Sequence, residues 1–330
     1  TSGEIGTVTE YDILSPYIEW LANHFSHLRN KDINAIIDCG NGTAGTVLPR
    51  LVEAMNWKHV KLIYEEVDGT FPNHEADPTN PENMIDVKQI LAEEPGTMIG
   101  LGLDGDCDRM NPMTKAGYLV PGDKMVTLYS KKIIRDNPGA KIIFDIKSSS
   151  SLLEALREMG GDPMFSPSGH SIIKDTMLKE NALMAGELSC HFFFNDLYFG
   201  YDDGIYAALR LFEILEEEGE PLGELLSGFP KQYSSPEYRI KCLESDKKKI
   251  VAHVRAIFEK RQDADLITID GIRAHTNYGW GLVRASNTQP VICLRFESDT
   301  KEGLSKITND FLEALTPYFT KEEMEEHLGL

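Results

Sequence analysis

Three aspartates recur at alternate positions in Asp104-Gly105-Asp106-Cys107-Asp108-Arg109. In an extended segment alternate side chains share a face, so Asp104, Asp106 and Asp108 are expected to point the same way. Three carboxylates on one side repel one another unless a cation sits among them. Hard oxygen donors of this kind suit Mg²⁺, which also bridges to phosphate. Arg109 adds a fork for phosphate oxygens. An EF-hand requires Gly at the sixth loop position and Glu at the twelfth. Arg109 and Lys115 stand at those positions and exclude it. The competing reading is a solvated acidic turn; the long apolar strand leading into the loop favours a metal.

Three further segments carry polar chemistry. Gly186-Glu187-Leu188-Ser189-Cys190-His191 offers a carboxylate and a hydroxyl that suit sugar hydroxyls. Taken alone, it reads more readily as a turn with Glu187 in solvent and His191 packed beside Phe192-Phe193-Phe194. Lys147 and Pro167-Ser168-Gly169-His170 place cationic groups near strand ends, although a lone His is usually structural and a lone Lys usually solvated. Arg284-Ala285-Ser286-Asn287-Thr288-Gln289-Pro290, preceded by Gly279-Trp280-Gly281, gathers many donors. Its backbone N–H groups can form a nest for an anion such as phosphate. The alternative is an Asn-Thr turn between two strands.

The elements that must position these segments follow from periodicity. Tyr11, Leu14, Tyr17, Ile18, Leu21 and Phe25 predict a helix over 10–30. Ala35 to Asp38 reads as a buried strand, followed by a glycine-rich turn and a helix at about 46–56. The pattern recurs: strand Lys141–Asp145, a polar serine loop, then a helix from Leu152 to Met159 closed by Gly160-Gly161. Asp38 and Asp145 lie 107 residues apart. Thr97–Leu103 leads into Asp104 as Ala182–Ala185 leads into Gly186-Glu187. This predicts an internal duplication with functional loops at the C-terminal ends of strands. Beyond Pro236, strands at Tyr238–Cys242, Leu266–Ile269 and Val291–Phe296 and a helix over 301–315 predict an antiparallel unit, with Gly279 to Pro290 as a loop. The fold class is α/β: two similar α/β mixed-sheet domains followed by a smaller C-terminal α+β domain.

Composition narrows the function classes. The chain has 330 residues, 33 Lys plus Arg, 53 Asp plus Glu and a net charge of −20. That argues against nucleic-acid binding but leaves room for a small anion held by local cations. No run of eighteen apolar residues predicts a transmembrane helix. Thr1 to Gly6 lacks the pattern of a signal peptide. Five scattered cysteines with no CxxC argue against a disulfide framework and a zinc site, and fit a reducing cytoplasm.

Together the four loops resemble the α-D-phosphohexomutase family, of the bacterial phosphomannomutase/phosphoglucomutase type. The family's DGDGDR is similar to Asp104–Arg109, its GEMSGH to Gly186–His191, its R-x-S-N-T-x-P to Arg284–Pro290, and its TGH to Ser168-Gly169-His170. Val67–His74 and Phe199–Gly204 also resemble family segments, and the likeness covers nearly the whole chain in family order.

The resemblance implies an isomerase that interconverts hexose 1-phosphates and 6-phosphates of mannose and glucose, through a phosphoserine and a hexose bisphosphate intermediate. It implies Asp104, Asp106 and Asp108 as Mg²⁺ ligands. Glu187 and Ser189 would hold sugar hydroxyls, with Leu188 and Cys190 beside them. Arg284, Ser286, Asn287 and Thr288 would bind the non-transferring phosphate, with Ala285 in the same loop. Lys147, His170 and Arg109 would contact phosphate or sugar, and His191 would aid proton transfer. Domains are expected over 1–118 (metal loop), 119–234 (sugar loop) and 235–330 (phosphate loop).

The sequence departs from the family in several places. The serine loop T-A-S-H-N-P is absent and Thr1 reads as the join to a second domain. The expectation is a fragment or domain-deleted form, inactive alone, whose partner would be the missing N-terminal domain. A non-catalytic sugar-phosphate-binding protein is the alternative. Phosphoglucosamine mutase is disfavoured because its sugar loop carries Gln where Leu188 stands. Cys107 and Cys190 replace loop glycines, at roughly 1–2 kcal/mol each wherever φ must be positive. Leu188 replaces Met, a mild change.

Overall fold

Ala35, Ile36 and Ile37 are all buried, as consecutive apolar residues must be in a strand covered on both faces. They form β1 (Asn34–Asp38). The computed structural model describes residues 6–328; the expectations placed on Thr1–Ile5 lie outside these. The described residues fall into two units. The first runs to Met125 and adds Ser189–Phe192 and Asp202–Ser227. The second comprises Val126–Leu188, Phe193–Tyr201 and the described residues from Gly228 onward.

In the first unit α1 (Leu14–His24) is followed by α2 (Ala44–Met55), β2 (His59–Ile63), α3 (Ile85–Glu93), β3 (Ile99–Leu103) and β4 (Met110–Thr114). The strand order is β2-β1-β3-β4. The first three strands are parallel and β4 is antiparallel to β3. Ile36, Met84, Val87, Leu91 and Met113 form one core cluster. The helix expected over 10–30 is shorter. Asp12 accepts from Ser15 N at 3.2 Å ahead of it. Phe25 leaves helical geometry for a 3₁₀ turn at Ser26–Leu28. That tighter turn allows both Phe25 and Leu28 to be fully buried.

Helix α4 (Gly122–Asp136) precedes the second sheet: β5 (Lys141–Asp145), α5 (Ser150–Glu158), β6 (Asp162–Ser166), α6 (His170–Lys179), β7 (Met184–Gly186) and β8 (Phe192–Phe194). Its order, β6-β5-β7-β8, repeats that of the first, and β6, β5 and β7 are parallel. The expected duplication is therefore present, with Asp38 and Asp145 each ending a central strand. Ser149 caps α5 by accepting from Ser151 N at 3.1 Å. Gly160 takes φ +82° just past the end of that helix, as expected. Helices α7 (Gly204–Glu218) and α8 (Leu222–Ser227) belong to the first unit. There Phe212 meets Trp57 edge to face, with centroids 5.7 Å apart.

The remaining strands are β9 (Tyr233–Ser234), β10 (Tyr238–Lys241), β11 (Asp265–Ile267), β12 (Ile272–Thr276), β13 (Gly279–Ala285) and β14 (Val291–Ser298). The sheet is antiparallel in the order β10-β14-β13-β12-β11. Helices α9 (Lys247–Phe258) and α10 (Lys301–Leu315) pack on it through Val254, Phe258, Ile307 and Phe311; α11 (Lys321–Leu328) follows. Gly279–Ala285 is a strand and not the expected loop, which is confined to Ser286–Pro290. Gly281 is not a turn residue: a Cβ there would lie 2.3 Å from the Phe311 ring.

One buried cation organises this part of the second unit. Arg273 is fully buried. It donates to Ile146 O and Ser148 O, both at 2.6 Å, and to Ser150 Oγ at 3.0 Å. Its Nε donates to His275 Nε2 at 2.9 Å, so that nitrogen must be an unprotonated acceptor. Burial, reinforced by the Arg273 charge, pulls the His275 pKa down to about 4. A histidine depressed in the folded state contributes stability that is present above its unfolded pKa, about 6.5, and is lost as pH falls through that value towards 4. Between pH 7 and 4.5 urea denaturation should show about 2–3 kcal/mol of loss from this group. His275→Gln, which can still accept from Arg273, should lack that component. Equal acid sensitivity in the two proteins would refute it.

Candidate functional site

The acidic loop begins where β3 ends and is a bend, not the extended segment expected. Cys107 N donates to Asp104 O at 3.2 Å, and Cys107 sits at φ +67°. The three carboxylates nevertheless converge, with candidate ligand atoms of Asp104, Asp106 and Asp108 within 4.8 Å of one another. Asp104 is buried, Asp108 half-buried and Asp106 exposed. The turn, not strand alternation, brings them together. Neighbouring backbone fixes the bend. Thr43 N donates to Gly105 O at 2.9 Å, and Gly204 N donates to Cys107 O at 2.9 Å. A Cβ on Gly42 would come within 2.7 Å of Gly105 O, which explains the glycine there.

Arg109 lies among the acids. Its Nε bonds Asp104 Oδ2 at 2.7 Å, Nη1 bonds Asp77 Oδ1 at 2.8 Å, and its N–H bonds Asp104 Oδ1 at 3.0 Å. Asp77 was not legible as part of the site, because nothing in its local pattern distinguishes it from a surface acid. Burial pushes the Asp104 carboxyl up to about 6 despite the Arg109 charge. At Asp108 burial acts the same way, but the bond and charge of His191 outweigh it and hold the group low. His191 Nε2 lies 3.3 Å from Asp108 Oδ1 and Nδ1 lies 3.1 Å from Ser189 Oγ. One ring nitrogen of His191 thus faces the Asp108 carboxylate and the other the Ser189 hydroxyl. His191 is held there by a bridge to Arg109 and by a bond from Met110 N to Cys190 O at 3.3 Å. In the same unit His74 Nε2 pairs with Asp38 Oδ2 at 2.9 Å.

The second unit holds the other candidates. Lys147 Nζ lies 3.1 Å from Glu237 Oε2 and 3.5 Å from Asp145 Oδ2. Burial opposes its charge, but Asp145, Glu237 and Glu187 outweigh this and raise its pKa, so it is an ammonium at neutral pH. Glu187 is buried and accepts from Gly169 N at 2.9 Å; it does not face solvent. Arg284 is buried on β13, where Nε bonds Asp270 Oδ2 at 2.7 Å. Its terminal nitrogens make no hydrogen bond to a described residue. Asp270 also accepts from Ser168 N at 3.1 Å, and Asn287 Nδ2 reaches Ser168 O at 3.4 Å. Arg284, Asn287 and Ser168 are thus gathered, with the exposed His170 two residues beyond Ser168. The nest expected from loop N–H groups is partly occupied. Thr288 N and Gln289 N bond Ser286 Oγ at 3.4 and 3.2 Å, while Lys247 Nζ holds Ser286 O and Gln289 O.

The two cysteines in place of loop glycines both adopt left-handed geometry, Cys107 at φ +67° and Cys190 at φ +69°. Burial pushes both thiols well above their ordinary pKa, so neither is a reactive thiolate at neutral pH.

The sequence profile described as phosphoglucomutase/phosphomannomutase, alpha/beta/alpha domain II matches residues 15–117. The profiles for domain III and for the C-terminal domain match 121–233 and 240–314. The chain is 42% identical over 308 residues to a phosphomannomutase/phosphoglucomutase of Pseudomonas syringae, covering 93% of this chain and 65% of that protein. It is 41% identical to a phosphoglucomutase of Neisseria gonorrhoeae, over 93% of this chain and 66% of that one. A phosphoglucomutase/phosphomannomutase family protein of Burkholderia thailandensis has a structure superposing with TM-score 0.86 at 36% identity, over 94% of this chain and 66% of that one. The chain therefore spans about two thirds or slightly less of the length of these relatives.

The strain at the two cysteines is measurable. Cys107→Gly should raise stability by about 0.5–1 kcal/mol in urea denaturation, the left-handed penalty less the entropy that glycine adds to the unfolded chain. Cys190→Gly should gain less, because its fully buried sulfur also loses packing. A loss of stability in Cys107→Gly would show that no strain is held there.

Proposed function

The chain belongs to the phosphoglucomutase/phosphomannomutase family, and from that premise we propose that it carries the metal-binding and sugar-phosphate-binding loops of a phosphohexomutase. The reaction is interconversion of hexose 1-phosphate and 6-phosphate, for mannose and glucose, through a hexose bisphosphate. The observation that supports this most directly is the convergence of Asp104, Asp106 and Asp108 within 4.8 Å. An all-carboxylate set fits Mg²⁺. When bound, the ion supplies charge neutralisation for a transferring phosphoryl group.

The chain's own residues have separable tasks in this reading. Arg109 limits repulsion among the acids and orients Asp104. The terminal nitrogens of Arg284 present a fork to the non-transferring phosphate, with Ser286, Asn287 and Thr288 in the adjoining loop. Lys147 and His170 contact phosphate or sugar. Glu187 and Ser189 receive sugar hydroxyls beside Leu188 and Cys190. His191 exchanges a hydroxyl proton. With no T-A-S-H-N-P loop among its 330 residues, the chain binds substrate without turning it over alone. The same reading divides it at 118/119 and 234/235. It also places it in the cytoplasm, where five free cysteines would stay reduced. No helix among the described residues is long and apolar enough to cross a membrane.

Calorimetric titration with glucose 1-phosphate and mannose 1-phosphate, with and without Mg²⁺, tests the phosphate assignment. Both sugars should bind, and Arg284→Ala should weaken both by roughly ten- to a hundredfold, the loss of a charge-assisted bond. A folded chain that binds neither sugar would overturn the reading. Asp106→Asn tests the metal. Its side chain is exposed, so the thermal midpoint should stay put while Mn²⁺ affinity, read by electron paramagnetic resonance, falls at least about tenfold. Unchanged Mn²⁺ affinity would remove Asp106 from the ligand set.

A further inference from the structure

A cavity of about 370 Å³ opens in the second unit, where the start of α5, the β12–β13 turn and the end of β14 meet. It touches Gly279 and Trp280 at the start of β13. Arg284 and the loop Ser286–Pro290 lie towards the other end of that strand, roughly 13–20 Å away along it. No residue assigned above to metal or sugar phosphate lines it.

Glu297 lines the cavity and is 2% exposed. Its Oε1 accepts from Ser149 Oγ at 2.8 Å, Ser150 N at 3.1 Å and Trp280 Nε1 at 2.9 Å. Its Oε2 has no hydrogen-bond partner, and the carboxylate makes no ion pair, among the described residues. The start of α5 offsets part of its charge through Ser150 N. An oxygen that opens onto the cavity accepts from whatever occupies it, and a carboxylate binds a charged donor more strongly than a neutral one.

The rest of the lining points the same way. Glu154 and Asp299 are exposed and make no ion pair with a described residue, and the Asn277 amide is unengaged. Among the described lining residues there is no lysine or arginine. His275 is held neutral by the donor from Arg273 and adds no positive charge. Arg273, bonded to Ser150 and His275 and stacked on Trp280, and Lys306, over the Tyr278 ring, touch lining residues without pairing with Glu297, Glu154 or Asp299. The three unpaired carboxylates of the lining favour a positive guest over a phosphate dianion. The volume suits a small molecule. We propose that this cavity binds a small organic cation, with a primary ammonium seated against Glu297 Oε2 and a short chain reaching towards Glu154 and Asp299.

Three isosteric probes distinguish charge from shape: 1,4-diaminobutane, 1,4-butanediol and succinate, each titrated calorimetrically at low ionic strength into the whole chain. The diamine should bind at least about tenfold more tightly than the diol, and succinate should not bind. Glu297→Gln keeps an oxygen for the three donors but removes the charge, and should weaken the diamine at least about tenfold. A Glu154→Gln/Asp299→Asn double variant changes only exposed groups and should weaken it by about threefold or more. Arg284→Ala should bind the diamine as the native chain does, which separates this site from the sugar-phosphate reading. Equal affinity for diamine and diol, no diamine binding, or undiminished affinity in folded Glu297→Gln would each overturn the proposal. Should that variant fail to fold, unchanged affinity in the double variant would overturn it.

Discussion

Carboxylates gathered at the ends of buried strands must be neutralised locally, and much of this structure is arranged around that requirement. Asp38 and Asp145 end the central strands of two sheets and are almost fully buried. Asp38 is met by His74 and by Gly40 N at 2.8 Å. Asp145 is met by Lys147 and by Ser148 Oγ at 2.7 Å. The acidic loop after β3 repeats the problem with three carboxylates, and Arg109 answers it from within the same loop. In a chain of net charge −20, each of these partners meets a carboxylate before any ligand arrives. Removing one partner from such a set leaves an uncompensated buried charge, which is far costlier than never having had the pair.

The same requirement shapes the backbone. For Asp104, Asp106 and Asp108 to converge, the chain must bend at Cys107, and a bend that tight puts Cys107 in the left-handed region. Thr43 and Gly204 hold the bend by hydrogen bonds to the carbonyls on either side of it. The Cβ and sulfur at this position carry a tolerated backbone penalty, and burial raises the thiol pKa.

The antiparallel sheet uses buried polar groups differently. Arg273 and Glu297 both lie in its interior, but their partners are mostly neutral: carbonyls, hydroxyls, an imidazole and an indole N–H. Arg273 also lies over the Trp280 ring, 3.6 Å from its centroid, a stacking that suits a weakly hydrated guanidinium. These contacts join β12, β13 and β14 to the loop after β5 within one unit. They also leave Glu297 with an oxygen facing a cavity.

Much of this was legible in the residues alone. Apolar runs ending in Asp38 and Asp145, each followed by a small-residue loop and an amphipathic helix, announced two similar α/β sheets. The order of the four polar loops announced the family. Local patterns carry such information because strand periodicity, capping and loop chemistry act over a few residues. Other features were settled only by tertiary structure. Gly279–Ala285 is a strand because β12 and β14 flank it and Phe311 occupies the space beside Gly281. Asp77, Asp270 and Glu237 join the polar clusters from distant points in the chain, and nothing in their neighbours marks them. Convergence of the three aspartates was foreseen, but its cause was misread, since alternation belongs to strands and this segment is a turn. Local periodicity determines which residues form an element, whereas side chains far apart in sequence meet only when the whole chain has packed.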